Sequence, residues 1–224
     1  MTVNFGILCF PRVQQLDLTG PFEVFASARG ATAHLVWKDL TPVRSATGLM
    51  LQPTVTFADA PAFDVLCVPG GSGVNPLLED EETLDFIRRQ SAGARFVTSV
   101  CTGALVLGAA GLLKGKRATT HWDSHQFLAN FGAIPEQGRV VRDGNVFTAG
   151  GVTSGIDFGL AVVAELFGRE EAETIQLYME YAPQPPFDAG TPETAPAAIV
   201  EKARQSLAPS RQAKVEILER LGLS

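Results

Sequence analysis

Residues Ala94–Leu113 read A-R-F-V-T-S-V-C-T-G-A-L-V-L-G-A-A-G-L-L, and this stretch decides the fold. Its first part, Arg95 to Val100, has the apolar character of a strand buried on both faces. From Thr102 onward the pattern becomes that of an apolar helix. Between them stands a single nucleophile-type residue, Cys101. A strand that ends on such a residue and turns at once into a helix is a nucleophile elbow. The flanking residues agree: Ser99 and Gly103 are small, as a sharp turn that brings two segments together requires. The elbow would hold Cys101 at the carboxyl end of a strand beside a helix N-terminus. The positive end of the helix there predicts a thiolate favoured over the thiol. Free cysteines are also commonly small core residues, and Cys9 (G-I-L-C-F) and Cys67 (D-V-L-C-V) fit that plainer description.

Outward from the elbow, strand and helix patterns alternate. Val3–Phe10 reads as a first buried strand, followed by P-R-V-Q-Q-L-D-L-T-G-P-F-E-V-F. Thr19 is a plausible N-cap with Pro21 in the first turn, which predicts that Asp17 lies in the loop before the helix. Asp17 could equally be an ordinary helix-start residue. His34–Asp39 reads as a second strand, Pro42–Val55 as a β-excursion turning at Pro42 and Gly48, and Asp64–Val68 as another buried strand. The last of these runs into P-G-G-S-G, where Gly70 and Gly71 let backbone N–H groups approach a ligand or simply make a tight turn. The spacing is neither a dinucleotide fingerprint nor a P-loop.

Asp80–Ser91 is an amphipathic helix capped by Asp80, with Leu84, Phe86 and Ile87 on its buried side. After the elbow come a short strand and helix in R-A-T-T-H-W-D-S-H-Q-F-L and a hairpin over Val140–Thr148 turning at Asp143-Gly144. A glycine-rich approach to a long apolar helix follows, and then a helix over Glu170–Tyr181. From Ala182 the chain is proline-rich, ending in two helices, Ala197–Leu207 and Arg211–Leu221. The alternation predicts an α/β fold, a mainly parallel sheet sandwiched by helices in the flavodoxin-like manner. Asp17, Gly70, Gly71 and Cys101 then converge at one sheet edge.

Composition narrows the function classes. The chain has 224 residues, 46% of them hydrophobic and 19% charged, which suits one domain over 1–224 with 182–224 as an extension packed on it. The net charge of −6 and the absence of a Lys/Arg cluster argue against nucleic acid. No apolar segment approaches the ~20 residues that a membrane helix needs. Three widely spaced cysteines and an N-terminal apolar run too short for a signal peptide point to the cytoplasm. No Cys/His spacing suits a metal.

D-V-L-C-V-P-G-G, V-T-S-V-C-T-G-A-L-V-L-G-A-A-G-L-L and A-T-T-H-W resemble the ThiJ/PfpI superfamily, whose sheet-and-elbow core is shared with glutamine amidotransferases. Within it, V-Q-Q-L-D-L-T-G-P, V-C-T-G and E-Y-A-P-Q-P-P-F look like the isocyanide-hydrating branch, and the likeness extends from the first strand to about residue 205. The resemblance implies a hydro-lyase that adds water to a small-molecule isocyanide, giving an N-substituted formamide through a covalent Cys101 thioimidate. It implies Cys101 as nucleophile, Asp17 as acid/base and Thr102 as an active-site hydroxyl. It also implies backbone N–H groups of the Gly70–Gly71 loop and of Thr102 at an oxyanion pocket, a homodimer, and no metal or organic cofactor. Protease-like members carry His where Thr102 stands, many redox-sensing members carry Glu where Asp17 stands, and regulators sharing A-T-T-H-W continue into a DNA-binding domain. His121 is expected to be a hydrogen-bonded core residue rather than a catalyst. The competing reading is a cysteine redox sensor or ligand-binding module without catalysis, with glyoxalase-like or deglycating activity ranked after it.

Overall fold

The computed structural model of the chain describes residues 2–223. The strands are β1 (Val3–Leu8), β2 (Ala31–Trp37), β3 (Val43–Arg44), β4 (Met50–Leu51), β5 (Val55–Thr56), β6 (Val65–Val68), β7 (Phe96–Val100), β8 (Arg117–Ala118), β9 (Ile134–Pro135), β10 (Val140–Asp143) and β11 (Val146–Ala149). The helices are α1 (Gln15–Ser27), α2 (Val74–Leu77), α3 (Glu81–Gly93), α4 (Gly103–Ala109), α5 (Ser154–Phe167), α6 (Arg169–Tyr178) and α7 (Ala197–Arg220), with a 3-10 helix over Trp122–Phe131.

Seven strands form the central sheet in the order β10-β11-β7-β6-β1-β2-β5. Every pairing is parallel except the β10–β11 hairpin. The chain leaves β1 toward β2 on one side and leaves β6 toward β7 on the other. Right-handed crossovers therefore put α1 and α3 on opposite faces. On the α1 face, α5 packs against α1 and α6 against α5, while α3, α4 and the 3-10 helix share the other face. Buried on both faces, β6 and the last four residues of β1 and β7 form the centre of the core. The strand order reverses between β1 and β6, and loops diverging there open a crevice at the carboxyl edge.

The main elements match the sequence reading, including the Asp80 cap of α3, whose carboxylate accepts the Thr83 N–H. Two readings need correction. Asp17 sits in the first turn of α1 rather than in the preceding loop, Thr19 is not the cap, and Pro21 lies inside the helix. The start is set by tertiary contacts. Gln14 N–H donates to Gly70 O at 2.8 Å, and Gln15 Oε1 accepts from the hydroxyls of Ser45 and Thr47. Residues 197–220 form one helix rather than two, with Pro209 inside it. An interior proline costs roughly 3 kcal/mol. Here Gln205, whose carbonyl loses its donor, is exposed, and Lys214, Ile217 and Leu218 are buried on the packed face. That face holds α7 against α2 and the 3-10 helix.

Candidate active site

The elbow is built as a strained turn clamped on both sides. Cys101 has φ 54°, a left-handed conformation unusual for a residue with a side chain. Its N–H donates to Ala149 O at 2.8 Å, and its carbonyl accepts the Thr120 hydroxyl at 2.7 Å. The small neighbours are explained by distance. A Cβ on Gly103 would lie 1.9 Å from Val68 O, so α4 can begin this close to β6 only with glycine there. Ser99 is fully buried.

Asp17 reaches the same point from α1. It is fully buried, and its Oδ2 accepts the Gly70 N–H at 2.9 Å. A Cβ on Gly70 would lie 2.6 Å from Thr102 N and 2.8 Å from Asp17 Oδ2, so glycine lets the three segments meet. The other oxygen, Oδ1, is buried with no partner of hydrogen-bond geometry, although the carboxyl lies against the Cys101 thiol and the two influence each other's titration. An orphaned buried carboxylate oxygen is costly unless the group carries a proton or meets a ligand. The Gly71 N–H donates to Thr102 Oγ1 at 3.1 Å, and the Thr102 N–H and hydroxyl both bear on the Cys101 sulfur.

Electrostatics departs from the sequence expectation of a favoured thiolate. Burial, reinforced by the neighbouring Asp17 carboxylate, pushes the Cys101 thiol well above its ordinary range against the pull of Thr102. Burial also raises Asp17 to about 7, opposed by the Gly70 N–H and Cys101. A helix terminus is worth about 0.3–1 kcal/mol, whereas taking a charge out of water costs several kcal/mol. Desolvation therefore wins. The two groups behave as a coupled pair, and once the first proton has left above about pH 7 they hold one between them.

Cys101 opens onto a cavity of about 690 Å³, with Asp17 buried behind it. Cys101, Thr102 and Gly71 line it on the sheet side, and Ser210, Ala213 and Lys214 of α7 also line it. His121 lines it too, but its Nδ1 accepts the Asp123 N–H and caps the 3-10 helix, and burial lowers its pKa. Among the described residues, no group of three or more His, Cys, Asp or Glu is arranged to hold a metal.

Asp17, Gly70, Gly71, Cys101 and Thr102, separated along the chain, thus meet in one cluster. The sequence reading missed Thr120, Lys214 and the α7 wall. Thr120 lies in the A-T-T-H-W segment, whereas nothing local marks Lys214.

Residues 5–165 match the DJ-1/PfpI family. The chain is 63% identical over 220 residues to the isonitrile hydratase of Pseudomonas putida, covering 98% of this chain and 96% of that one. The crystal structure of a ThiJ/PfpI family protein from Pseudomonas syringae superposes with a TM-score of 0.93 at 45% identity, covering 96% of this chain and 90% of the other. Drosophila melanogaster DJ-1beta shares the fold, with a TM-score of 0.73 at 24% identity over 82% of this chain and all of that one. The elbow, the sheet order and these matches agree: the chain belongs to the DJ-1/PfpI family.

Proposed function

We propose that the protein is an isocyanide (isonitrile) hydratase, converting R–N≡C and water to the formamide R–NH–CHO. The observation that carries this reading is the near-full-length identity to the Pseudomonas putida enzyme. The local chemistry suits it. The terminal carbon of an isocyanide must take both the nucleophile and a proton, so the proton donor has to reach the atom the sulfur attacks. Asp17 against Cys101 provides that arrangement.

In the proposed cycle Cys101 sulfur bonds to the terminal carbon, and the one proton held by the pair goes to the same carbon through Asp17. The product of this step is a thioimidate, R–N=CH–S–Cys101. Asp17, now ionised, takes a proton from water as the oxygen adds to that carbon, and the proton passes to nitrogen. The tetrahedral R–NH–CH(OH)–S–Cys101 collapses by breaking the C–S bond. The hydroxyl proton returns to the pair, and the formamide leaves. The Thr102 N–H favours the ionised sulfur, and rotation of the Thr102 hydroxyl would free the Gly71 N–H for the oxygen. Both would stabilise the tetrahedral stage.

The redox-sensor alternative calls for an accessible, low-pKa thiolate, and Cys101 is buried with its thiol pushed up. The proposal extends to a cytoplasmic, single-domain chain with residues 182–224 as an extension packed on it, and to a homodimer. Phe187 in the proline-rich segment is exposed. Leu177 and Tyr178 are exposed as well. Light scattering on the purified protein should give twice the chain mass.

The function is tested by incubating pure protein with cyclohexyl isocyanide and following N-cyclohexylformamide. Formamide produced above the uncatalysed rate is the expected result. No turnover across several aliphatic and aromatic isocyanides would overturn the proposal.

A further inference from the structure

One buried charge in the cavity has no part in the cycle above. Lys214 is 4% exposed, yet its ammonium meets no carboxylate among the described residues. Its Nζ donates to Ser210 O at 3.2 Å and Ser210 Oγ at 2.9 Å, both one turn back on its own helix. An ammonium has three donors, so one N–H is left without a protein partner.

A structural explanation is weak on two grounds. A lysine that ties elements together bonds to another element, and Lys214 bonds only within α7. The tie between α2 and α7 is made without it, by Asn75 Nδ2 donating to Ser210 O at 3.3 Å. Burial pushes the ammonium below its ordinary range, opposed by Cys101 and Asp123. A cation held this way costs free energy until an anion meets it.

The remaining charges lining the cavity leave room for such an anion. Asp123 is already engaged, with Oδ1 2.5 Å from Arg211. Arg12 also lines the cavity, and its recorded side-chain bond is to a neutral group, Ser72 Oγ, at 3.1 Å. The lining thus carries two cations, Arg12 and Lys214, against one carboxylate that has its own partner.

Resting on the hydratase reading, we infer that the cavity selects isocyanides whose organic group bears a carboxylate, held by the free N–H of Lys214. The reacting carbon of R–N≡C has to sit at Cys101. What the rest of the cavity sees is therefore R, and the isocyanide function itself carries no net charge for an ammonium to meet. A carboxylate on R would supply the missing partner through a charge-assisted hydrogen bond. Lys214 is then a specificity-determining residue.

The test compares isocyanoacetate with its methyl ester, which differ by the charge. Wild-type kcat/KM should favour the carboxylate by about tenfold or more, the scale of one charge-assisted hydrogen bond. In Lys214→Met, which keeps the length of the stem, that ratio should fall by about the same factor, and Lys214→Arg should restore part of it. A wild-type ratio at or below one, or a ratio unmoved in Lys214→Met, overturns the inference. Turnover of the ester without preference for the acid, or failure of both while cyclohexyl isocyanide is still hydrated, sinks the inference alone, whereas failure of all three sinks the hydratase reading. Calorimetry on wild type decides the anion question without turnover or a foldable variant. N-formylglycinate should bind about tenfold more tightly than its methyl ester, and equal affinities would contradict the proposal.

Discussion

Strands β6 and β7 lie side by side, and each brings a buried cysteine to its carboxyl end, but the two are placed for opposite fates. Cys67 sits within the extended backbone of β6, fully buried. Burial pushes its thiol to about 12, opposed by a hydrogen bond with Thr98. Cys101 follows β7 on a left-handed turn, is also buried, and is also pushed up. Burial therefore does not distinguish them. What does is the turn, the opening to the cavity, and the partners: Asp17 to share a proton and Thr102 to hold the sulfur. On the proposed mechanism, Cys101 would owe its reactivity to its neighbours, not to a lowered resting pKa.

Substitutions can break that contrast. Cys101→Ala should reduce formamide production to background, a loss on the order of 10⁴-fold or more, measured as kcat/KM on cyclohexyl isocyanide. Asp17→Asn keeps the shape but removes the shared proton. A loss of about 10²–10⁴-fold is expected in the same assay, and near-normal rates would remove Asp17 from the chemistry.

The pH dependence sharpens the same point. If the singly protonated pair is the reactive form, kcat/KM should rise as pH increases through about 7 and stay level well beyond it. A fall through that range would mean that the doubly protonated pair reacts. Stability should move the other way. Folding raises the Asp17 pKa from 3.8 to about 7, so the native state binds the proton more tightly, and stability is lost as pH rises between those values. Denaturant midpoints for wild type should fall relative to Asp17→Asn over that interval.

Smaller effects belong to the supports. Thr102→Val removes the hydroxyl that accepts from Gly71 and bears on the sulfur, and should cost about tenfold in kcat/KM. Cys67→Ala should leave turnover at the wild-type level while costing roughly 1 kcal/mol of stability for the small void it creates, read from urea unfolding.

The cluster was legible because its signals are local. Small residues flanking Cys101 announce the sharp turn, and glycines after β6 announce a close approach, which the short distances at Gly70 and Gly103 explain. Asp17 was placed at the correct sheet edge but on the wrong side of a helix boundary. That boundary is fixed by contacts of Gln14 and Gln15 with residues far along the chain. The favoured thiolate was read from one helix terminus, and burial by the whole fold outweighs it. The wall of the cavity opposed to local reading most strongly: Pro209 suggests a break where packing of Ile217 and Leu218 keeps α7 continuous. Lys214 reaches the cavity only because that helix docks there.

The proposed mechanism turns on a covalent bond between Cys101 and the whole isocyanide. Its most direct test is intact-protein mass spectrometry on the reaction quenched in acid within the first turnover. The expected result is a transient adduct equal to the full mass of the isocyanide, because addition expels no leaving group, mapped to Cys101 and absent in Cys101→Ala. Formamide released at the wild-type rate by Cys101→Ala, with no adduct on either protein, would contradict it.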